Sequence, residues 1–367
     1  MTDEKQNELS ESKEIPHEIN SVSDLSQILQ TLGQPEKGYT RFFRGHADES
    51  WKLLPSIYRE TYLIENEDKI IKDALTYCPD DFLPSDTLFE KLVKLQHYGY
   101  STRLLDLTTN ALVALYFAAQ SYKEKKLYSD EYSKLKDGEL IILDIPSQEI
   151  KYGDSDTVAI LSAIALQQSK FDYFKCIEEV NIIAISEISR KMIDEMIIHA
   201  QRANIIEIFE KQQPDSKELW DNYDPNICYS NITFSEERKI AFNNHKEIIS
   251  LLHDIQVDKP SFRPLIDFND LQRILCVRAK SNNVRISRQQ GCFLLFGING
   301  IKLKPAPDTI LKEWQRFVPN SQKIIVKNKA AIMEELKSFG ISKRTLFPEL
   351  EAQATEIMNH YKPQKTK

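Results

Sequence analysis

Residues 86–119 read DTLFEKLVKLQHYGYSTRLLDLTTNALVALYFAA, and the changes of period inside this stretch decide the fold class. Leu88, Phe89, Leu92, Val93 and Leu95 recur at helical spacing, with Asp86 placed to cap the helix and Gly99 to stop it. From Gln96 to Asp106 the chain crosses a helix-to-strand junction. Asn110 then caps a second helix that carries Leu112, Leu115, Tyr116 and Ala119 on one stripe. Helix and strand therefore alternate without the spacing of a β-α-β unit.

The same texture continues on both sides. Upstream, Ser23 is an N-cap candidate ahead of Leu25, Ile28, Leu29 and Leu32, Gly33 closes that helix, and Tyr39 to Arg44 reads as an aromatic-rich strand ended by Gly45. Downstream, Glu139 to Ile145 is a short, continuously apolar strand after a Lys-Asp-Gly turn. Asp156 opens a helical middle, and Ser235 with Glu236 and Glu237 opens a long helix reaching about Gln256. Past Pro264, strand-like pieces at Ile274–Val277, Cys292–Phe296 and Lys323–Val326 alternate with helices, and a last helix runs from about Pro348 to His360. The fold class expected is α+β, with a mixed small sheet or sheets surrounded by many helices. No repeat appears, and Lys259 to Pro264 is the only candidate boundary. One domain over residues 22–361 is expected, between polar tails at 1–21 and 362–367 that read as disordered.

Bulk properties exclude several classes. Hydrophobic residues are 41% and charged residues 28% of the 367, as in ordinary globular proteins, and the net charge is −7. No global basic character recruits nucleic acid or anionic lipid, so a polyanion site has to be local. Cys78, Cys176, Cys228, Cys276 and Cys292 are odd in number and form no C-x-x-C pair, which fits a reducing compartment and neither a disulfide framework nor a zinc knuckle. The first twenty residues hold six acids and two lysines without an apolar core, so no secretory signal is read there. No apolar run approaches the ~20 residues of a membrane span. A cytoplasmic protein without membrane partners is expected.

Three clusters carry the chemistry. Arg41-Phe42-Phe43-Arg44-Gly45-His46 places a planar, forked guanidinium at the end of a strand, where it can grip phosphate or carboxylate at two points, and Gly45 suits close approach of a ligand. A structural ion pair for Arg44 is the bland alternative. Gln96 to Asp106 offers an imidazole, two phenols, two hydroxyls, a guanidinium and a carboxylate within eleven residues. His97 can act as acid or base near neutral pH, or simply complement a helix C-terminus, and Arg103 and Asp106 can pair with each other. From Leu271 to Pro307 there is no acid but seven bases, Arg273, Arg278, Lys280, Arg285, Arg288, Lys302 and Lys304, enclosing Gln289-Gln290-Gly291. That reversal of sign favours an anion such as a nucleotide, with a nucleic acid or a protein target as partner of the segment, or is a solvated basic face. P-loop and dinucleotide-binding glycine motifs are missing, His245 and His253 are too far apart to share a metal, and no intrinsic metal is expected.

Together these segments resemble the FRG-domain family. Phe43-Arg44-Gly45 matches its name-giving motif, and Trp51-Lys52-Leu53-Leu54-Pro55-Ser56 with Arg59 is similar to the segment that follows it. Gln96-His97-Tyr98-Gly99, Thr102-Arg103-Leu104-Leu105-Asp106 and Ala114-Leu115-Tyr116-Phe117-Ala118 resemble its longest motif, with Leu107 where tryptophan is expected. Gln289 to Phe293 and Leu346-Phe347-Pro348-Glu349-Leu350 resemble its C-terminal elements, so the resemblance spans roughly 39–361. The family occurs in bacteria and phages and implies an association with defence against phage, without naming a reaction.

A further likeness is to ADP-ribosyltransferase folds, which order an early arginine, a hydroxyl-rich motif and a late acidic motif as Arg44, Ser101-Thr102 and Gln289-Gln290-Gly291 are ordered here. It implies an ADP-ribosyltransferase-like core with NAD as substrate. Arg44, Gly45, Tyr98, Thr102, Arg103 and Gln289 would then bind the ligand, and His97, Asp106 and Gln290 would be catalytic. Glutamine cannot supply the family's late negative charge, so either Asp106 does so or the activity is absent or different. The rival readings are a metal-independent nuclease or phosphoryl-transfer enzyme using His97, Arg44 and Arg103, and a non-enzymatic sensor of a nucleotide or phage component. Arg44, His97, Arg103, Asp106 and Gln290 are all expected in one pocket.

Overall fold

A computed structural model describes residues 18–122, 135–212, 234–280 and 283–361. Eleven strands lie within these residues: β1 (Glu18–Ile19), β2 (Tyr39–His46), β3 (Leu104–Thr108), β4 (Gly138–Pro146), β5 (Ile150–Tyr152), β6 (Ile274–Arg278), β7 (Gly291–Phe296), β8 (Ile298–Asn299), β9 (Ile301–Pro305), β10 (Gln315–Arg316) and β11 (Ile324–Val326). Nine of them form one mixed sheet in the order β1-β11-β4-β2-β3-β7-β6-β5, with β10 also on β4, while β8 and β9 form a hairpin. The class is α+β, and the sheet is larger than the small sheets expected from sequence. Short strands hid it, because β1, β5 and β10 are two or three residues long and leave little periodic signal, whereas β11 falls within the strand expected at Lys323–Val326.

The centre of the sheet alternates between its two faces, as strand geometry requires. Phe43, Leu140 and Ile142 pack under the helices Val22–Leu32, Ala111–Ala118 and Lys329–Ser338. Leu104, Leu275, Phe293 and Leu295 pack under Leu88–His97, Asp156–Ala163 and Lys246–Asp258. On the opposite face Phe42, Leu105, Leu107, Ile141, Leu143 and Leu294 meet Ala306, Leu311 and Trp314. The C-terminal third is thus built into the same sheet as the first.

Local chemistry accounts for the boundaries. Thr87, not Asp86, caps the Leu88–His97 helix through a capping box with Glu90, and Asp86 instead accepts from the Leu83 N–H at 2.9 Å. Ser21, not Ser23, caps the first helix, and Glu18–Ile19 pairs in parallel with Ile325–Val326, so the chain enters the fold before residue 22. The long helix expected from Ser235 is broken into Phe234–Asn243 and Lys246–Asp258. Asn243 turns inward there to donate to Ile266 O at 3.0 Å and to accept from Ile266 N at 2.7 Å. The segments 1–17 and 362–367, with Cys228, lie outside the described residues.

One packing contact fixes the region of interest. A Cβ on Gly45 would lie 2.0 Å from Ala114 O and 2.5 Å from Ala118 N, and one on Gly138 would lie 2.2 Å from Ala118 O. Glycine on these neighbouring strands lets the Ala111–Ala118 helix rest its backbone on the sheet. The glycine after Arg44 therefore serves helix packing.

Candidate functional site

β2 and β3 are neighbours in the sheet, yet their ladder holds a single register pair, Phe43 with Thr108. Beyond that pair, where Arg44 to His46 would face Leu107 to Leu105, the ladder stops. Arg44 bridges the gap: its Nη1 donates to the backbone carbonyl of Asp106 at 2.6 Å, a side chain standing where a strand-to-strand bond would be. Its Nε donates to Nε2 of His46 at 2.9 Å, two residues along on the same face of β2. The Asp106 carboxylate is 4.0 Å from Nη1. Nη2 has no hydrogen-bond partner among the described residues.

Next to this gap is a cleft of about 420 Å³. Its polar lining includes Arg44, His97, Asp106, Thr108, Arg285 and Gln289, and its apolar wall includes Phe43, Leu107, Val113 and Phe117. Trp51 and Tyr122 complete it, edge to face with ring centres 4.9 Å apart, and the Arg59 guanidinium lies 5.1 Å above the Trp51 ring. Strand ends, a helix C-terminus and a helix lying on the sheet converge here, an arrangement that commonly displays ligand-binding groups.

Burial sets the electrostatics. Desolvation holds the Arg44 guanidinium down to about 10, with Arg59 acting in the same direction and Asp106 against it, so Arg44 stays cationic at neutral pH. The His97 imidazole is held below its ordinary value by burial first and by Arg285 second, against the pull of Asp106 and Glu349. Its Nδ1 faces the amide of Asn283 at 3.1 Å. Arg285 donates to His97 O at 3.3 Å, lies over the Phe347 ring at 4.7 Å and pairs with Glu349 at 3.8 Å. Among the described residues the cleft lining thus combines two guanidiniums with one carboxylate, a positive excess within a chain of net charge −7.

The residues singled out from sequence divide. Arg44, Gly45, His97, Asp106 and Gln289 line the cleft. Arg103 does not: it is fully buried, with Nε on Glu67 at 3.0 Å, Nη2 also on Glu67 and Nη1 on Phe296 O at 3.2 Å, and Lys302 joins the same carboxylate at 3.3 Å. It is the structural ion pair that sequence reasoning had weighed for Arg44, and it pairs with Glu67 rather than with Asp106. Thr102 is buried and donates to Gln96. Tyr98 is 71% exposed and outside the lining. Gln290 adopts a left-handed conformation, φ 48°, to end the Val284–Gln289 helix, and its amide oxygen meets the Thr109 hydroxyl at 3.3 Å. Its backbone carbonyl accepts from Thr109 N at 3.2 Å, so the late motif clamps the end of β3 while its neighbour Gln289 reaches the cleft.

The acid-free segment does not make one basic face. Arg273 pairs with Glu149 and Asp270, Lys280 with Glu90, Lys302 is in the core, and Arg285 is in the cleft. Sequence reasoning passed over Trp51, Tyr122 and His46. Trp51 and His46 lie in the segments around Phe43-Arg44-Gly45, but nothing in their spacing announces a shared cavity. Among the described residues no group of three or more His, Cys, Asp and Glu side chains could hold a metal ion, and no helix is long and apolar enough to cross a membrane.

Residues 40–127 match the family model of the FRG domain, and the chain carries that domain. The matched stretch supplies most of the cleft, while Arg285 and Gln289 come from outside it. No curated protein and no solved structure matches the chain.

Proposed function

We propose that the FRG domain of this chain binds a nucleotide-like anion, with a phosphate against Arg44 and the flat base in the aromatic end of the cleft. The observation that carries this reading is the Arg44 guanidinium itself. It is cationic and lines the cleft, two of its nitrogens are anchored by the protein, and Nη2 has no protein partner among the described residues. A charge-assisted bond from such a preset donor is stronger than one from a mobile surface lysine. Arg285 supplies a second cation, and Trp51 and Tyr122 supply ring surface for a base.

Asp106 supports a finer reading, NAD-dependent ADP-ribosyl transfer. It is the one carboxylate in the lining among the described residues and stands next to Arg44. In that chemistry the bond between the ribosyl carbon and nicotinamide breaks, a nucleophile takes the ribosyl group, and a carboxylate steadies the positive charge formed between the two events. Burial of Arg103 removes one of the two arginines on which the nuclease reading relied, and a cleft in place of a shallow surface gives the sensor reading less support. A role in defence against phage rests on family resemblance alone, and plaque counts on cells expressing wild type and Arg44→Ala decide it.

Calorimetric titration of the purified chain with ADP, NAD, inorganic phosphate and short RNA tests the proposal. Binding of ADP or NAD that is lost in Arg44→Ala is the expected result. Release of nicotinamide from NAD in the same samples would extend it to transfer chemistry. Binding of none of these, or binding that Arg44→Ala leaves unchanged, overturns it.

A further inference from the structure

The Arg44 side chain enters the cleft in one orientation because of a residue outside the lining. His46 is buried on β2 and opposite Glu139 of β4. The Arg44 Nε–H donates to His46 Nε2, so that nitrogen must carry a lone pair and the ring proton must be on Nδ1. Nδ1 is itself buried without a hydrogen-bond partner, 3.9 Å from the Glu139 carboxylate. Trp51 closes over the imidazole edge to face at 5.9 Å.

We infer that His46 is a positioning residue for the anion site, a neutral acceptor that occupies Nε of Arg44 and thereby turns the Nη edge toward the ligand. Arginine can present two different forks to an oxyanion, one from Nε with a terminal nitrogen and one from the two terminal nitrogens. With Nε engaged by His46 and one Nη1 hydrogen engaged by Asp106 O, the fork left open is the end-on one. The inference rests on the anion-binding reading above and deepens it by naming how the guanidinium is aimed. An imidazolium at this place would lose the lone pair and set a second positive charge against Arg44. Burial, Arg44, Arg59 and Lys323 all oppose that protonation and hold the imidazole down to about 3.

The test compares His46→Gln, which retains an acceptor, with His46→Leu, which has none. Nitrogen-15 NMR of the wild type should show His46 protonated on Nδ1 and not on Nε2, and an Arg44 Nε–H that exchanges slowly with water. His46→Gln should keep that protection and His46→Leu should lose it. In titrations with ADP, His46→Leu should weaken binding about tenfold or more and His46→Gln by only a few fold, since one hydrogen bond to a charged group is at stake. Equal losses in the two variants, or wild-type affinity in His46→Leu, overturn the positioning role. An Nε2-protonated ring in the wild type also overturns it. If wild type binds none of ADP, NAD, inorganic phosphate and short RNA, the anion reading fails, while the tautomer and the exchange rate still decide whether His46 holds Arg44.

Discussion

Two arginines from the motif region have opposite fates, and the difference is the acid each one meets. Arg103 and Glu67 are both fully buried, whereas Arg44 faces an Asp106 whose side chain is 57% exposed. Arg103→Ala breaks a buried pair. Lys302 remains 3.3 Å from Glu67, so the loss should be at the low end of the range for such pairs, about 3 kcal/mol. Arg44→Ala strands no buried acid and lets water reach His46 Nε2 from the cleft, a cost of about 1 kcal/mol. Urea melts of the two variants check the contrast, and a larger loss for Arg44→Ala would make Arg44 the structural residue. Arg44→Lys should restore little binding, because an ammonium has no fork.

His46 gives a pH signature at the same scale. Below its ordinary pKa the unfolded chain takes up a proton at His46 that the folded chain refuses until about pH 3, so this residue withdraws stability as pH falls through that window. Between pH 7 and pH 5 the withdrawal is about 2 kcal/mol. His97, whose imidazole is also held down, acts with the same sign. Stability measured from pH 7 to pH 5 should fall less steeply in His46→Gln than in wild type, and parallel slopes would show that His46 titrates normally.

At the scale of elements, the cleft exists because a ladder ends early and a helix comes close. The Ala111–Ala118 helix rests on Gly45 and Gly138 through backbone contacts, so neither neighbour can yield as a flexible side chain could. Gly45→Ala should therefore cost about 3 kcal/mol, at the upper end for overpacking, and disturb the cleft with it. A urea midpoint equal to wild type would contradict the packing account. The elements themselves were largely legible: helical spacing at Leu88–Leu95, the Asn110 cap and the apolar runs at β4 and β7 placed four pieces correctly within a residue or two. The cap expected at Asp86 is one residue early, although the Thr87-x-x-Glu90 spacing carries the signal. Thr87 prevails over Asp86 because Glu90 answers it three residues on.

For the whole molecule, the family match over residues 40–127 is a smaller unit than the fold. β2 draws its long ladder from β4, and β3 draws its own from β7, both outside the match. A fragment of residues 18–127 leaves those edges open and should lack cooperative unfolding by circular dichroism. A sharp transition for the fragment would show that the matched segment folds alone. The site was legible in the same uneven way. Arg44, His97 and Asp106 announced themselves by chemical type, and the acid-free window held Arg285. Tyr122 and the separation of Gln289 from Gln290 depend on long-range register and a left-handed turn, which no local pattern encodes.

The central claim is that Arg44 presents its free edge to an anion. A crystal structure of the chain with whichever of ADP or NAD binds more tightly tests it most directly. The account predicts phosphate oxygens within about 2.7–3.2 Å of Arg44 Nη2, with the Nε–H still on His46 and the base beside Trp51 and Tyr122. Ligand density elsewhere on the molecule, or in the cleft with Arg44 Nη2 left unbonded, would contradict it.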